Sequence, residues 1–167
     1  MPMTMKFEGM EAISKLLTTL KDEAPRVAAK ALYEGAGIMA DTISKQANAI
    51  TTSPFHYAVF VQRDPSPEEK AIVSAKGAVG IAKFGKNGSE VDTKVGYGGS
   101  GYAMLKGRKK AIPQIANAIN SGTSFMKKQP FFRKAVTAGS KPAEAKISEV
   151  LLAEYEKIIE RNGGTST

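Results

Sequence analysis

The sequence carries one histidine, His56, and no cysteine. With a serine and either Asp64 or Asp92, His56 has the residue types of a Ser-His-Asp triad, in which the imidazole takes the proton of the attacking hydroxyl. Next to Pro54 and Phe55, a lone histidine reads as a structural residue instead. Without cysteine, disulfides, thiolate metal sites and thiol nucleophiles are excluded. One histidine and no carboxylate cluster at ligand spacing give little to hold a metal. Glu68 and Glu69 are adjacent, so they do not share a helix face as a working acid–base pair would. They read as first-turn acids that complement a helix dipole. The stretch "GYGGSG" puts Gly96, Gly98 and Gly101 at the G-x-G-x-x-G spacing of a dinucleotide fold. That motif needs a helix opening inside it and an acid about twenty residues on. Here the next acid is Glu144, and Gly107 and Pro113 interrupt any helix, so a loop is expected. The chain therefore reads as a non-enzyme with no cofactor.

The strongest charged group is "KGRKK", which contributes Lys106, Arg108, Lys109 and Lys110. It has the chemistry of a phosphate contact that releases counterions, and equally that of a solvated loop or a contact to an acidic protein. Tyr97 and Tyr102 lie near it and could stack on bases, but no helix-turn-helix, RRM or zinc-finger pattern accompanies them. The whole chain of 167 residues has a net charge of +8. Residues 1–64 are neutral, with seven Lys/Arg against seven Asp/Glu. Residues 65–142 hold fourteen against four, and residues 143–167 hold three against five. The basicity thus belongs to the middle of the chain and calls for a negative partner.

The elements that must position these residues follow from periodicity. "TMKFEG" alternates weakly and suggests a short strand over Thr4–Gly9. Met10, Ile13, Leu17 and Leu20 then form one helical stripe. Pro25 should end that helix or open the next. A second helix is expected to about Ala49, with a stripe of Ala28, Leu32, Gly35, Met39 and Ile43. Its small residues would let another backbone approach closely. "HYAVFVQ" reads as a strand. Ser66, Pro67 and Glu69 form a capping box that opens a short helix ending near Gly77. Ala78–Phe84 and Glu90–Tyr97 read as a hairpin about "GKNG". A short helix follows Pro113. The clearest amphipathic helix is C-terminal, with Ile147, Val150, Leu151, Tyr155 and Ile158 on one face. No repeat or linker breaks the chain. Residues 1–167 read as one α+β domain, an antiparallel sheet packed against long helices, with a flexible loop at about 98–110 and a frayed tail at about 162–167. "MPMTMKFEGMEAISKLL" has no unbroken apolar run. Nor does any stretch reach the roughly 20 apolar residues of a membrane span. A soluble protein made in the cytoplasm, without membrane contact, is expected.

One segment remains, "INSGTSFMKKQPFFRKAV" from Ile119 to Val136. Gly122 suits a turn that a side chain would obstruct, and Thr123 or Ser124 can bond nearby backbone. Pro130 presets a first helical turn. Phe131 and Phe132 point in different directions on any helix. Either one enters the core and the other meets a neighbouring subunit, or both fill one core.

Gly122, Thr123, Ser124, Gln129, Pro130, Phe131, Phe132 and Arg133 resemble the signature of the small head–tail joining proteins of long-tailed bacteriophages. These are also called neck, tail-completion or minor tail component proteins. That family has a Gly-Thr-Ser, a small residue or Gln, Pro-Phe, a bulky residue and Arg, leading into a C-terminal helix. The short strand ending at Gly9, the alanine-rich helix and "VGYG" are similar too. "TTSPFHY" stands where the family often carries Pro-x-Asp-Thr-Gly. The resemblance implies a virion structural protein at the head–tail junction: a closed homo-oligomeric ring, six-fold, stacked on other connector and tail proteins around a DNA channel. In that setting Gly122, Thr123, Gln129, Pro130, Phe131, Phe132 and Arg133 would form an interface. Lys106, Arg108, Lys109 and Lys110 would face an acidic partner or, non-specifically, the DNA. A nucleic-acid-binding module using the basic central segment is the alternative.

Overall fold

The computed structural model describes residues 10–53, 62–87, 90–98 and 101–162. The expected strand at Thr4–Gly9, the expected strand "HYAVFVQ" apart from Gln62, His56, and the tail beyond Asn162 lie outside them. The architecture is α+β, with long helices and small antiparallel ladders. Helix α1 spans Met10–Asn48 and helix α4 spans Phe131–Arg161. Between them lie α2 (Pro67–Ser74), strands β1 (Gly80–Ile81), β2 (Gly85–Asn87), β3 (Glu90–Asp92), β4 (Val95–Gly96), β5 (Tyr102–Leu105) and β6 (Arg108–Ala111), then α3 (Ile112–Ser121).

The two expected N-terminal helices are one. Pro25 lies inside α1, and Pro142 lies inside α4. An interior proline costs about 3 kcal/mol, because it removes a hydrogen bond to the carbonyl four residues back. Here those carbonyls belong to Lys21 and Ala138, both exposed, so water can take the missing donor's place. The α1–α4 contact outweighs the remaining cost.

That contact is antiparallel. Glu23 meets Arg161, Lys30 meets Glu154, Gly35 faces Ile147, and Met39 faces Gly139. The buried positions are Val27, Ala31, Gly35, Ala36, Ile43 and Ala47 on α1, and Phe131, Ala135, Gly139, Ala143, Glu154 and Ile158 on α4. Small residues spaced by four bring the two backbones close. A Cβ on Gly35 would sit 2.5 Å from Ile147 Cγ1, and one on Gly139 would sit 2.7 Å from Met39 Sδ. The expected stripe is therefore shifted: Ala28, Leu32 and Met39 are only partly buried and flank the line of closest approach. Ile13 and Leu17 are exposed, because α1 runs on past the end of α4 at Arg161.

The core sits at the other end of the helix pair. Ile43, Ala47 and Ile50 pack there with Val73, Ala78, Tyr97, Leu105, Ile115, Ile119, Met126 and Phe131. The expected hairpin forms as β1–β4 and β2–β3. Its pairing slips by one residue between Ile81↔Val95 and Gly85↔Asp92, leaving three residues on one side opposite two on the other, a bulge. The sheet is thus divided into three two-stranded ladders, the third being β5–β6. The capping box at Ser66 and Glu69 forms as expected.

Candidate interaction surface

The Ile119–Val136 segment turns the chain from α3 into α4. Gly122 ends α3 at φ +78°, and its N–H donates to the Ala118 carbonyl. An added Cβ there would lie 3.1 Å from Lys128 N, so both conformation and space require glycine. Thr123 and Met126 close a tight turn by mutual backbone bonds, and the Thr123 hydroxyl accepts from Phe125 N–H at 3.2 Å. Gln129 fastens the corner to the chain just beyond α1. Its Oε1 accepts from Thr51 N–H at 3.0 Å, and its Nε2 donates to the Thr51 carbonyl at 2.8 Å. Pro130 precedes α4, whose first free N–H groups need acceptors. Asn120 Oδ1 supplies one, accepting from Phe132 N–H at 3.1 Å.

The two phenylalanines share a core. Phe131 is 3% exposed. Phe132 is half-buried, packs against the same cluster, and lines a cavity of about 180 Å³ with Tyr97, Pro113 and Asn120. Both rings meet Tyr97 edge-on, at centroid separations of 6.2 and 5.6 Å. The Tyr97 hydroxyl donates to the Val73 carbonyl at 2.7 Å, and burial pushes its pKa up to about 12. Phe131 is thus occupied inside its own chain. Of the expected interface residues, Arg133 and Thr123 are exposed, while Gly122, Gln129, Pro130 and Phe132 are partly so.

The basic group lies on a hairpin and not on a flexible loop. β5 and β6 pair from Tyr102↔Ala111 to Leu105↔Arg108. The two turn residues, Lys106 at φ +50° and Gly107 at φ +74°, have the left-handed geometry that matches strand twist. The strand pleat separates the side chains. Tyr102, Met104 and Lys109 share the outer face, with Lys109 Nζ 4.9 Å from the Tyr102 ring centroid. Tyr102 is 67% exposed and Met104 is also open. On the inner face Leu105 is buried, and Lys110 leans over a cleft.

That cleft joins the two sets of residues singled out by sequence. It holds about 320 Å³, with Leu105 and Lys110 from the hairpin on one side and Thr123, Phe125 and Met126 from the turn on the other. Phe125 stands 79% exposed at its rim. Arg63 and Glu69 form another wall. Arg63 donates both Nη groups to the Glu69 carboxylate at 2.6 Å, and its backbone bridges Phe125 and Lys127. Burial would raise the Glu69 pKa, but the Arg63 guanidinium and the Ser66 backbone N–H hold it below the usual range. Glu69 therefore does more than complement a dipole: it caps α2 and fixes Arg63 at the same time. Arg63, Asn120 and Phe125 carried no signal of this in the sequence, and Tyr97, read there as able to stack on bases, is buried and bonded to Val73 instead.

Among the described residues, no helix is long and apolar enough to cross a membrane. Comparison with protein families, with curated proteins and with solved structures finds no match to this chain.

Proposed function

We propose that this protein is a structural component of the head–tail connector of a long-tailed bacteriophage, assembling as a closed ring of identical copies. The observation that carries the reading is the Gly122–Arg133 corner. Its residue order resembles the joining-protein signature, and several of its residues have a task that suits a fixed joint. Gly122 allows the turn, Gln129 ties it to Thr51, and Phe131 and Phe132 lock the start of α4 onto Tyr97. The joint holds a rigid two-helix arm against a basic head. Large apolar side chains remain exposed on both parts: Tyr102, Met104 and Phe125 on the head, and Ile13, Leu17, Tyr33, Val136 and Leu152 on the arm. Apolar groups exposed in this way on two separate parts suit contacts with neighbours. A ring needs two different surfaces that meet head to tail. Electron microscopy and sedimentation of the purified chain test the reading: rings or ring segments are expected. A monomer at high concentration that stays monomeric with purified connector partners overturns it.

The ordered hairpin favours a second reading, a nucleic-acid-binding module. Lys109 over an exposed Tyr102, with Arg108 and Lys110 on the other face of the same ladder, has the chemistry to contact phosphate and base together. It requires duplex or single-stranded DNA binding at low salt that weakens steeply as salt rises. Charge reversal of the three residues must abolish it.

A further inference from the structure

The outer face of α4 changes sign along its length. From Phe131 to Ala143 it carries Arg133, Lys134 and Lys141 and no acid. From Glu144 to Arg161 the exposed outer positions include Ala145, Ser148, Glu149, Leu152, Ala153, Glu156 and Glu160, and the charged ones are all acids. This order opposes the helix dipole, which favours acids near the N-terminus and bases near the C-terminus. The fold gains nothing locally from it. The bases of this half are also already engaged. Lys146 pairs with Glu149, Lys157 with Glu154 and Arg161 with Glu23, while Glu156 and Glu160 form no ion pair among the described residues. The head shows the reverse. Of its described cations, only Arg63 and Lys127 form ion pairs, and Lys106, Arg108, Lys109 and Lys110 all project from the hairpin.

Each patch also has an apolar centre. Leu152 is 65% exposed between Glu149 and Glu156, and Tyr102 and Met104 stand beside Lys109. An exposed leucine flanked by two acids and an exposed aromatic with a lysine over its ring have the form of an anchor and its socket, each with a charged rim. Leu105 of the hairpin joins the core at Phe131, where α4 starts, and Leu152 lies about 30 Å further along that helix, so one molecule cannot bring the two patches together.

We infer that the outer face of the β5–β6 hairpin (Tyr102, Met104, Lys109) docks on the C-terminal outer face of α4 (Leu152, Glu156, Glu160) of a second copy of this chain. The contact is heterologous: each copy offers its hairpin to one neighbour and its arm to the other. The inference rests on the ring reading above and names its interface. A polyanion would satisfy the hairpin's charges but would leave the acidic arm and Leu152 without a partner.

The test uses two double variants of the full chain, Met104→Glu with Lys109→Glu on the outer hairpin face, and Glu156→Lys with Glu160→Lys on the arm. All four positions are exposed, and circular dichroism checks that both variants are folded. Each variant alone should associate at least roughly tenfold more weakly than the unaltered chain, read by sedimentation velocity. Mixed in equal amounts they should reassemble, because the reversed hairpin of one meets the reversed arm of the other. If the unaltered chain forms rings and both variants do too, this interface is wrong and the ring reading survives. If the unaltered chain stays monomeric, both fail. If hairpin reversal abolishes binding to duplex DNA while self-association is unchanged, the hairpin serves a polyanion and the inference is overturned.

Discussion

Phe131 and Phe132 are adjacent, yet their environments differ enough to be separated by mutation. Phe131 is almost wholly buried, and removing its ring should cost about 3–5 kcal/mol. Phe132 is half-buried at the edge of a small cavity, and Phe132→Ala should cost clearly less, about 1–2 kcal/mol. Urea unfolding of the two alanine variants measures both values. Equal losses would mean that the corner is uniform core. The sequence made this corner legible in part. Gly122 and Pro130 act through their own backbones, so their roles could be read locally. Gln129 could not, because its two bonds go to Thr51, far back in the chain. The burial of Phe131 against Tyr97 was equally hidden, since spacing says which way a side chain points and not what it meets.

At the scale of elements, the α1–α4 pair depends on glycine where the backbones approach. Gly35→Ala gains about 1 kcal/mol of helix propensity but places a methyl 2.5 Å from Ile147, and overpacking costs about 1–3 kcal/mol, so the net effect should be destabilising. Gly37 is the control: nothing lies within 4 Å of an added Cβ, and Gly37→Ala should stabilise by up to about 1 kcal/mol. Thermal unfolding of the two variants should shift in opposite directions. The same helix pair carries a pH-dependent contact. Hydrogen bonds first from Lys157 and then from Lys30 hold the Glu154 pKa at about 2, against an ordinary 4.5. A carboxylate with a depressed folded-state pKa adds stability that is present above its unfolded pKa and is lost as pH falls through the folded one. Stability from this group should decline between about pH 4.5 and pH 2. Glu154→Gln should flatten that part of the pH profile, and an unchanged profile would show that the contact does not link the helices. The existence and type of most elements could be read from sequence, as with the Ser66–Glu69 capping box. Continuity could not. Pro25 looks like a stop because local chemistry says so, and the long-range contact between two small-residue faces overrides it, as it also carries α4 past Pro142. The "KGRKK" segment failed as a loop for a similar reason. Its cations are poor strand formers, but a two-residue turn and the burial of Leu105 hold them in a ladder.

The whole molecule is bipolar, a basic head on a two-helix arm whose outer face is acidic toward its end. That division was visible in the sequence as charge blocks, whereas the pairing of Leu152 with acids and of Tyr102 with Lys109 appears only once the chain is folded. Opposed charges at two ends of one molecule predict association that weakens with salt, since rim charges are screened. They also predict that hairpin and arm variants fail alone and recover when mixed. The most direct measurement is the mass and shape of the purified full-length chain at low and physiological salt, by sedimentation velocity with electron microscopy of the same sample. The account predicts a defined oligomer seen as closed rings, dissociating as salt rises. A single monomeric species at every concentration and salt, unchanged by connector partners, would contradict it.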